Sequence, residues 1–99
     1  MIKLTGILSR EINLKTDKNR NYYYHGWLRA KDGTQPAFFF FRPDYNLSLR
    51  VAELKVNQAI TLQGFWSKIS PNAFLASDFW LEEVKPEQFF SLLENQSEF

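Results

Sequence analysis

The stretch that decides the fold is Ile2-Lys3-Leu4-Thr5-Gly6-Ile7-Leu8-Ser9-Arg10-Glu11-Ile12-Asn13-Leu14. A period of two in its apolar side chains predicts a β-strand, because the apolar residues fall on even positions: Ile2, Leu4, Leu8, Ile12 and Leu14. The run is long for one strand, and Gly6 inside it permits a bulge or a sharp bend. The sequence therefore begins with a long, coiled strand.

Four further strands are predicted downstream. A second, aromatic-rich strand covers residues 22–30, and a third covers residues 37–42, with an Asp-Gly turn between them. The fourth and fifth are predicted over 59–68 and 73–84. Gly64 lies inside the fourth, where a curved strand needs a bulge or a close approach.

Two helices complete the predicted order. Asp44 or Asn46 is the expected cap of a short helix before the fourth strand, in which one apolar stripe is formed by Leu47, Val51 and Leu54. Pro86 is expected to open a final helix, which carries Phe89, Leu92 and Leu93 on one face and is expected to close one end of the fold. The last residues, 95–99, are expected to fray.

The 99 residues fit one domain, which we place at 1–85, with the final helix and frayed tail at 86–99. Apolar residues make up 44%, which excludes a disordered chain, and no Cys is present for disulfides, zinc ribbons or thiol chemistry. No apolar run approaches about 18 residues, and the first residues lack a signal peptide's apolar stretch. The expectation is a soluble cytoplasmic protein without a membrane partner.

Five strands with a helix between the third and fourth are typical of the OB-fold, an all-β Greek-key barrel. That barrel needs a long first strand, which pairs in both of its halves. An SH3-like barrel is the competing fold, but it does not normally carry a helix of this length before its fourth strand. We therefore predict a five-stranded OB-fold barrel.

Two segments resemble bacterial single-stranded-DNA-binding proteins and their shorter primosomal relatives. Residues 2–8, an apolar alternation broken by Gly6, resemble the family's opening strand, and residues 55–64 resemble its fourth strand. The helix over Leu47–Leu54 matches the family's helix in place. The resemblance covers residues 2 to about 84 and departs in the aromatic second strand and the missing Gly/Gln-rich tail. It implies single-stranded DNA as ligand, a role in DNA replication, and replication or repair proteins as partners.

Charge is segregated along the chain although the net charge is only +1. Residues 1–55 carry ten Lys/Arg against five Asp/Glu, a balance of +5, whereas residues 56–99 carry two against six, a balance of −4. A basic body suits a polyanionic partner, but chance segregation on a solvated surface explains the pattern about as well.

The second and third strands are the usual ligand surface of an OB barrel. In the second strand one face carries Tyr23, His25, Trp27 and Arg29, an alternation of rings and cations that suits stacked bases and phosphates. In the third strand Arg42 indicates that Phe38 and Phe40 face outward. The predicted nucleic-acid-binding set is Lys15, Lys18, Arg20, Tyr23, Trp27, Arg29, Phe38, Phe40, Arg42, Trp66 and Lys68.

Two alternatives stay open at this point. A run of four Phe residues does not show which alternate positions of the strand face outward. Phe39 and Phe41 can therefore face outward in place of Phe38 and Phe40. The same aromatic face also suits a protein interface, such as a homodimer or higher homo-oligomer, where Tyr, Trp, Phe and Arg are enriched. The nucleic acid, DNA or RNA, is not decided by these residues.

No catalytic or cofactor site is predicted. His25 is the single His and has no acid or Cys beside it on its strand, so a packing role is favoured over catalysis. Glu82 and Glu83 point to opposite faces of a strand and do not form an acid–base pair. Without a Gly-rich phosphate loop or a metal-ligand spacing, the sequence indicates a non-enzyme that uses no cofactor and no metal.

Overall fold

The computed structural model describes residues 1–83. These residues form six strands and one helix: β1 (Ile2–Leu8), β2 (Asn13–Thr16), β3 (Tyr22–Arg29), β4 (Ala37–Phe41), α1 (Tyr45–Ala52), β5 (Ala59–Trp66) and β6 (Ala73–Leu81). The predicted final helix and tail over 86–99 lie outside the described residues. No helix within 1–83 is long and apolar enough to cross a membrane.

The long first strand is present, and it bends between β1 and β2. β1 pairs antiparallel with β5 over its length and reaches β3 at Ile7 and Leu8. β2 pairs only with β3, and the strand is interrupted at residues 9–12. One stretch of sequence thus serves both halves of the sheet, as its length and pattern predicted.

The strands close into a barrel. Their order is β1-β5-β6-β4-β3-β2, and the additional pairing of β1 with β3 closes the sheet. β4 and β6 run parallel, with Ala37 opposite Ala73, while the other pairs are antiparallel. Counted with β1 and β2 as one, these are five strands, and this mostly-β barrel with one short helix is consistent with the OB-fold.

The barrel interior is apolar. Leu8, Leu28, Ile60 and Leu62 are fully enclosed, and Leu4 is half-buried against the same core. Each fully buried large apolar side chain stabilises the fold by about 1.5–3 kcal/mol relative to exposure. The fully buried large residues are Ile7, Leu8, Leu28, Phe38, Phe40, Ile60, Leu62 and Phe74.

Gly64 marks the irregularity predicted for the fourth strand. The register between β5 and β6 shifts between Gln63 and Gly64. A Cβ at Gly64 would lie 2.0 Å from the carbonyl oxygen of Leu75, so no larger residue fits there without moving backbone. The predicted bulge or close approach is confirmed.

α1 is capped at its N-terminus and attached to β6 through Arg50. Asp44 is its N-cap and accepts a hydrogen bond from the backbone N–H of Leu47 at 2.8 Å. Arg50 donates to Asp78 Oδ1 at 2.8 Å and to the carbonyl oxygen of Phe79, and its guanidinium lies 4.6 Å from the centroid of the Phe79 ring. The hydrogen bond from Arg50 lowers the pKa of Asp78. These contacts hold the helix against β6.

Candidate nucleic-acid interface

Five rings from β3 and β4 share the outer face of the barrel. We call this group the aromatic platform: Tyr23, His25, Trp27, Phe39 and Phe41. Alternation along each strand places these odd-numbered residues on one face, and the antiparallel register sets Tyr23 opposite Phe41 and His25 opposite Phe39. Four of the rings are half-buried, and Phe41 is exposed.

The rings of the platform touch one another. His25 stacks on Phe39 with ring centroids 4.4 Å apart, and Phe39 lies parallel to Phe41 at 5.5 Å. Trp27 lies 4.0 Å from His25, and Tyr23 lies 5.3 Å from Phe41. The platform is therefore one continuous aromatic surface that spans two strands.

The outward placement of Phe38 and Phe40 is wrong. Both side chains are fully buried in the core, and Phe39 and Phe41 take the outer face. Core residues without solvent contact cannot stack on a base, so Phe38 and Phe40 leave the set of candidate ligand contacts. Phe39 and Phe41 take their place among the candidate ligand contacts.

Two local features explain this phase. Gly26 lies opposite Phe38 on the core side, and the Phe38 ring fills the space that a side chain would take. A Cβ added at Gly26 would lie 2.4 Å from Cζ of Phe38. Arg42 lies beyond the end of β4 with a φ of 49°, in the left-handed region. The alternation of the strand therefore does not extend to Arg42, whose exposure says nothing about the face of Phe38 and Phe40.

His25 lies at the centre of the platform. Its Nε2 is buried and has no hydrogen-bond partner among the described residues. Desolvation by the surrounding rings lowers the pKa of His25, and the positive charge of Lys15 lowers it further. The lowered pKa favours the neutral imidazole, which is a flat ring in the stack.

Cations border the platform at the β2–β3 hairpin. Lys15 of β2 lies directly opposite Tyr23, so its side chain shares the outer face with the rings. Lys18 and Arg20 are exposed in the loop that follows. Asp17 organises this loop by accepting hydrogen bonds from the backbone N–H groups of Asn19 and Asn21, and the bond from Asn21 is the main reason why the pKa of Asp17 is lowered.

Further cations lie at the other end of the platform and beside it. Arg10, in the bend between β1 and β2, holds its guanidinium 5.0 Å from the centroid of the Trp27 ring. Arg10 is not in the predicted binding set, because only the bend at residues 9–12 brings it to Trp27. Arg29 at the end of β3 and Arg42 after β4 are both exposed.

Trp66 and Lys68 are not joined to the platform by the fold. Trp66 lies opposite Phe74 and packs edge-on against that core ring at 5.2 Å, while 39% of it stays exposed. Lys68 is exposed in the turn between β5 and β6. Phe65, the neighbour of Trp66, faces outward. It lies opposite Leu75 of β6, and Leu75 lies opposite Phe39 of β4. The register thus extends the platform's face across β6 to β5.

This arrangement is suited to flat, anionic ligands. Aromatic faces stack on nucleobases at about 1–3 kcal/mol for each base, and neighbouring cations contact the phosphates. Within residues 1–83, no three His, Asp or Glu side chains are grouped so that they could hold a metal ion.

Comparison with known proteins yields a similarity of fold. No family model matches the chain, and no curated protein sequence is similar to it. The structure is similar to a crystal structure of the mitochondrial single-stranded DNA binding protein Rim1 from S. cerevisiae, with a TM-score of 0.65 over 86% of this chain and 93% of that chain. The two sequences are 13% identical, so the likeness establishes the OB-type fold.

Proposed function

We propose that this chain binds single-stranded nucleic acid, with DNA the favoured ligand, and does so with little sequence preference. The observation that carries the proposal is the aromatic platform with Lys15 beside Tyr23 and Arg10 beside Trp27. The similarity of fold to a protein described as binding single-stranded DNA adds support. A binding protein of this kind is not an enzyme.

Stacking explains both the affinity and the low selectivity. Every base has a π-face, so rings such as Phe39 and Phe41 accept any of them. The polar group nearest the centre of the platform is His25, whose Nε2 is buried and does not offer a base edge a hydrogen bond. The surface that the five platform rings offer to a base is one of ring faces, which stack on bases without distinguishing them.

A protein interface is the second candidate, and the apolar extension of the platform favours it. Phe65 is 54% exposed and Leu75 39% exposed, and both lie on the same face as Phe39. Exposed apolar and aromatic residues of this kind are typical of interfaces between proteins, including copies of one chain. This candidate uses the same rings but needs no phosphate contact.

Titration with a short oligo-dT separates the two candidates. Stacking on Trp27 is expected to quench tryptophan fluorescence at low salt, and binding is expected to weaken linearly with the logarithm of salt concentration. A Trp27→Phe variant should lose most of the quenching. A Trp80→Phe variant, whose ring lies under Lys3 on another part of the barrel, should keep it. Absence of quenching at low salt would overturn the proposal and leave the protein interface.

A further inference from the structure

An apolar groove lies on the other side of the β2–β3 hairpin from the aromatic platform. It consists of two adjoining cavities of about 370 and 220 Å³ that share Tyr24. The α1 side of the first is formed by Val51 and Ala52, and that of the second by Ser48. We call this feature the α1 groove. Its remaining apolar lining is Ile12, Leu14, Tyr22, Pro43, Leu54 and Val56, and its charged lining residues are Glu11 and Lys55.

α1 carries two apolar stripes, and only one of them faces the core. Leu47 and Val51 pack inward. Tyr45, Leu49 and Ala52 follow one another at i, i+4 and i+7 on the opposite side, where Tyr45 is 77% and Leu49 51% exposed. A helix that leaves such a stripe beside a groove presents a surface that favours a second apolar element.

We propose that the chain's own C-terminal segment, residues 84–99, docks in the α1 groove. β6 ends near one end of the groove. Just after β6, the N–H of Glu82 donates to the carbonyl oxygen of Ala59, and Val56, three residues before Ala59, lines the groove. The sixteen residues that follow Glu83 reach about 24 Å as a helix and about 50 Å when extended. Either length is enough to run along the groove towards Leu14.

The chemistry of the segment matches that of the groove. Its sequence carries Phe89, Leu92 and Leu93 at the spacing of one helical face, which suits the apolar walls. Its charged residues are three Glu and one Lys. The acids fit Lys55, the one cation among the groove's lining residues, which lines the first cavity together with Glu11. This docking is independent of the proposed nucleic-acid binding.

A double-mutant cycle in the full chain tests the docking by thermal unfolding. Leu92→Asp, which places a charge on the apolar stripe, is expected to lower the Tm by at least about 4–8 °C, the shift that follows from losing about 1 kcal/mol of stability in a domain of this size. Ser91→Asp is the matched control, because it adds the same charge beside the stripe, and it should leave the Tm nearly unchanged. Val56→Asp in the groove should produce a fall similar to that of Leu92→Asp.

The combined variant decides the partner of the segment. If the two substitutions remove the same contact, the double variant should be little less stable than either single variant, because the effects of substitutions at contacting residues are not additive. Additive shifts would mean that the segment docks elsewhere, and equal effects of Leu92→Asp and Ser91→Asp would mean that it does not dock; either overturns the proposal. A Tm that rises with protein concentration, with a dimer in sedimentation, would assign the groove to a second copy instead.

Discussion

Replacing Gly26 by Ala is expected to destabilise the protein, although the same change in an ordinary strand is stabilising by roughly 0.5–1 kcal/mol. The added Cβ would lie 2.4 Å from Cζ and 2.7 Å from Cε1 of Phe38, whereas ordinary contacts begin at 3.4 Å. Phe38 is fully buried and cannot move aside without disturbing the core. Overpacking of this kind costs about 1–3 kcal/mol.

Urea unfolding followed by far-ultraviolet circular dichroism measures this cost. The double variant Gly26→Ala/Phe38→Leu should be more stable than the sum of the two single effects predicts. Its free energy of unfolding should exceed that sum by about 0.5–3 kcal/mol, because the smaller Leu leaves room for the new methyl group. Gly33→Asn is a suitable control, since Gly33 has a φ of 86° that Asn tolerates and no neighbour within 4 Å. A stabilising Gly26→Ala, or strictly additive effects, would refute the assigned phase of β4.

Three further outcomes are expected. Leu62→Ala should lower the free energy of unfolding by about 2–5 kcal/mol, because it opens a cavity at a fully buried site; urea unfolding measures it, and a change below that range contradicts the core assignment. Changing Lys15, Lys18 and Arg20 together to Ala should weaken oligo-dT binding for every sequence and reduce the salt slope by about two; an unchanged slope means no phosphate contact. Because the pKa of His25 is lowered, the unfolded chain binds the proton more tightly, so stability should fall as pH drops below the ordinary value of 6.5, and His25→Gln should lack this loss.

Local sequence patterns predicted most of the barrel. The long first strand, the bulge at Gly64 and the cap at Asp44 were each predicted from residues close in sequence, and each is present in the structure. The partial exposure of Tyr23 and Trp27 follows from the same alternation and is confirmed. In the first stretch the alternation predicts the strand but not all of its faces, since Ile2 and Leu14 are exposed and the odd-numbered Ile7 is fully buried.

The phase of β4 depends on a contact between strands. Four consecutive Phe contain no polar contrast, so only the register that sets Gly26 opposite Phe38 decides which rings enter the core. Arg42 was misleading because the strand ends one residue before it. Arg10 was missed for a related reason, since its approach to Trp27 depends on the bend between β1 and β2. These errors concern the candidate site, which is assembled by tertiary contacts.

The affinity of Phe39→Ala for oligo-dT, compared with that of Tyr45→Ala, tests the central claim most directly. Phe39 stacks on two other rings of the aromatic platform, whereas Tyr45 is an exposed aromatic on α1 and is not one of the platform rings. The platform predicts that Phe39→Ala loses about 1–3 kcal/mol of binding free energy with its fold intact, while Tyr45→Ala binds like the unaltered chain. Equal affinities for the two variants would contradict a nucleic-acid interface on this face.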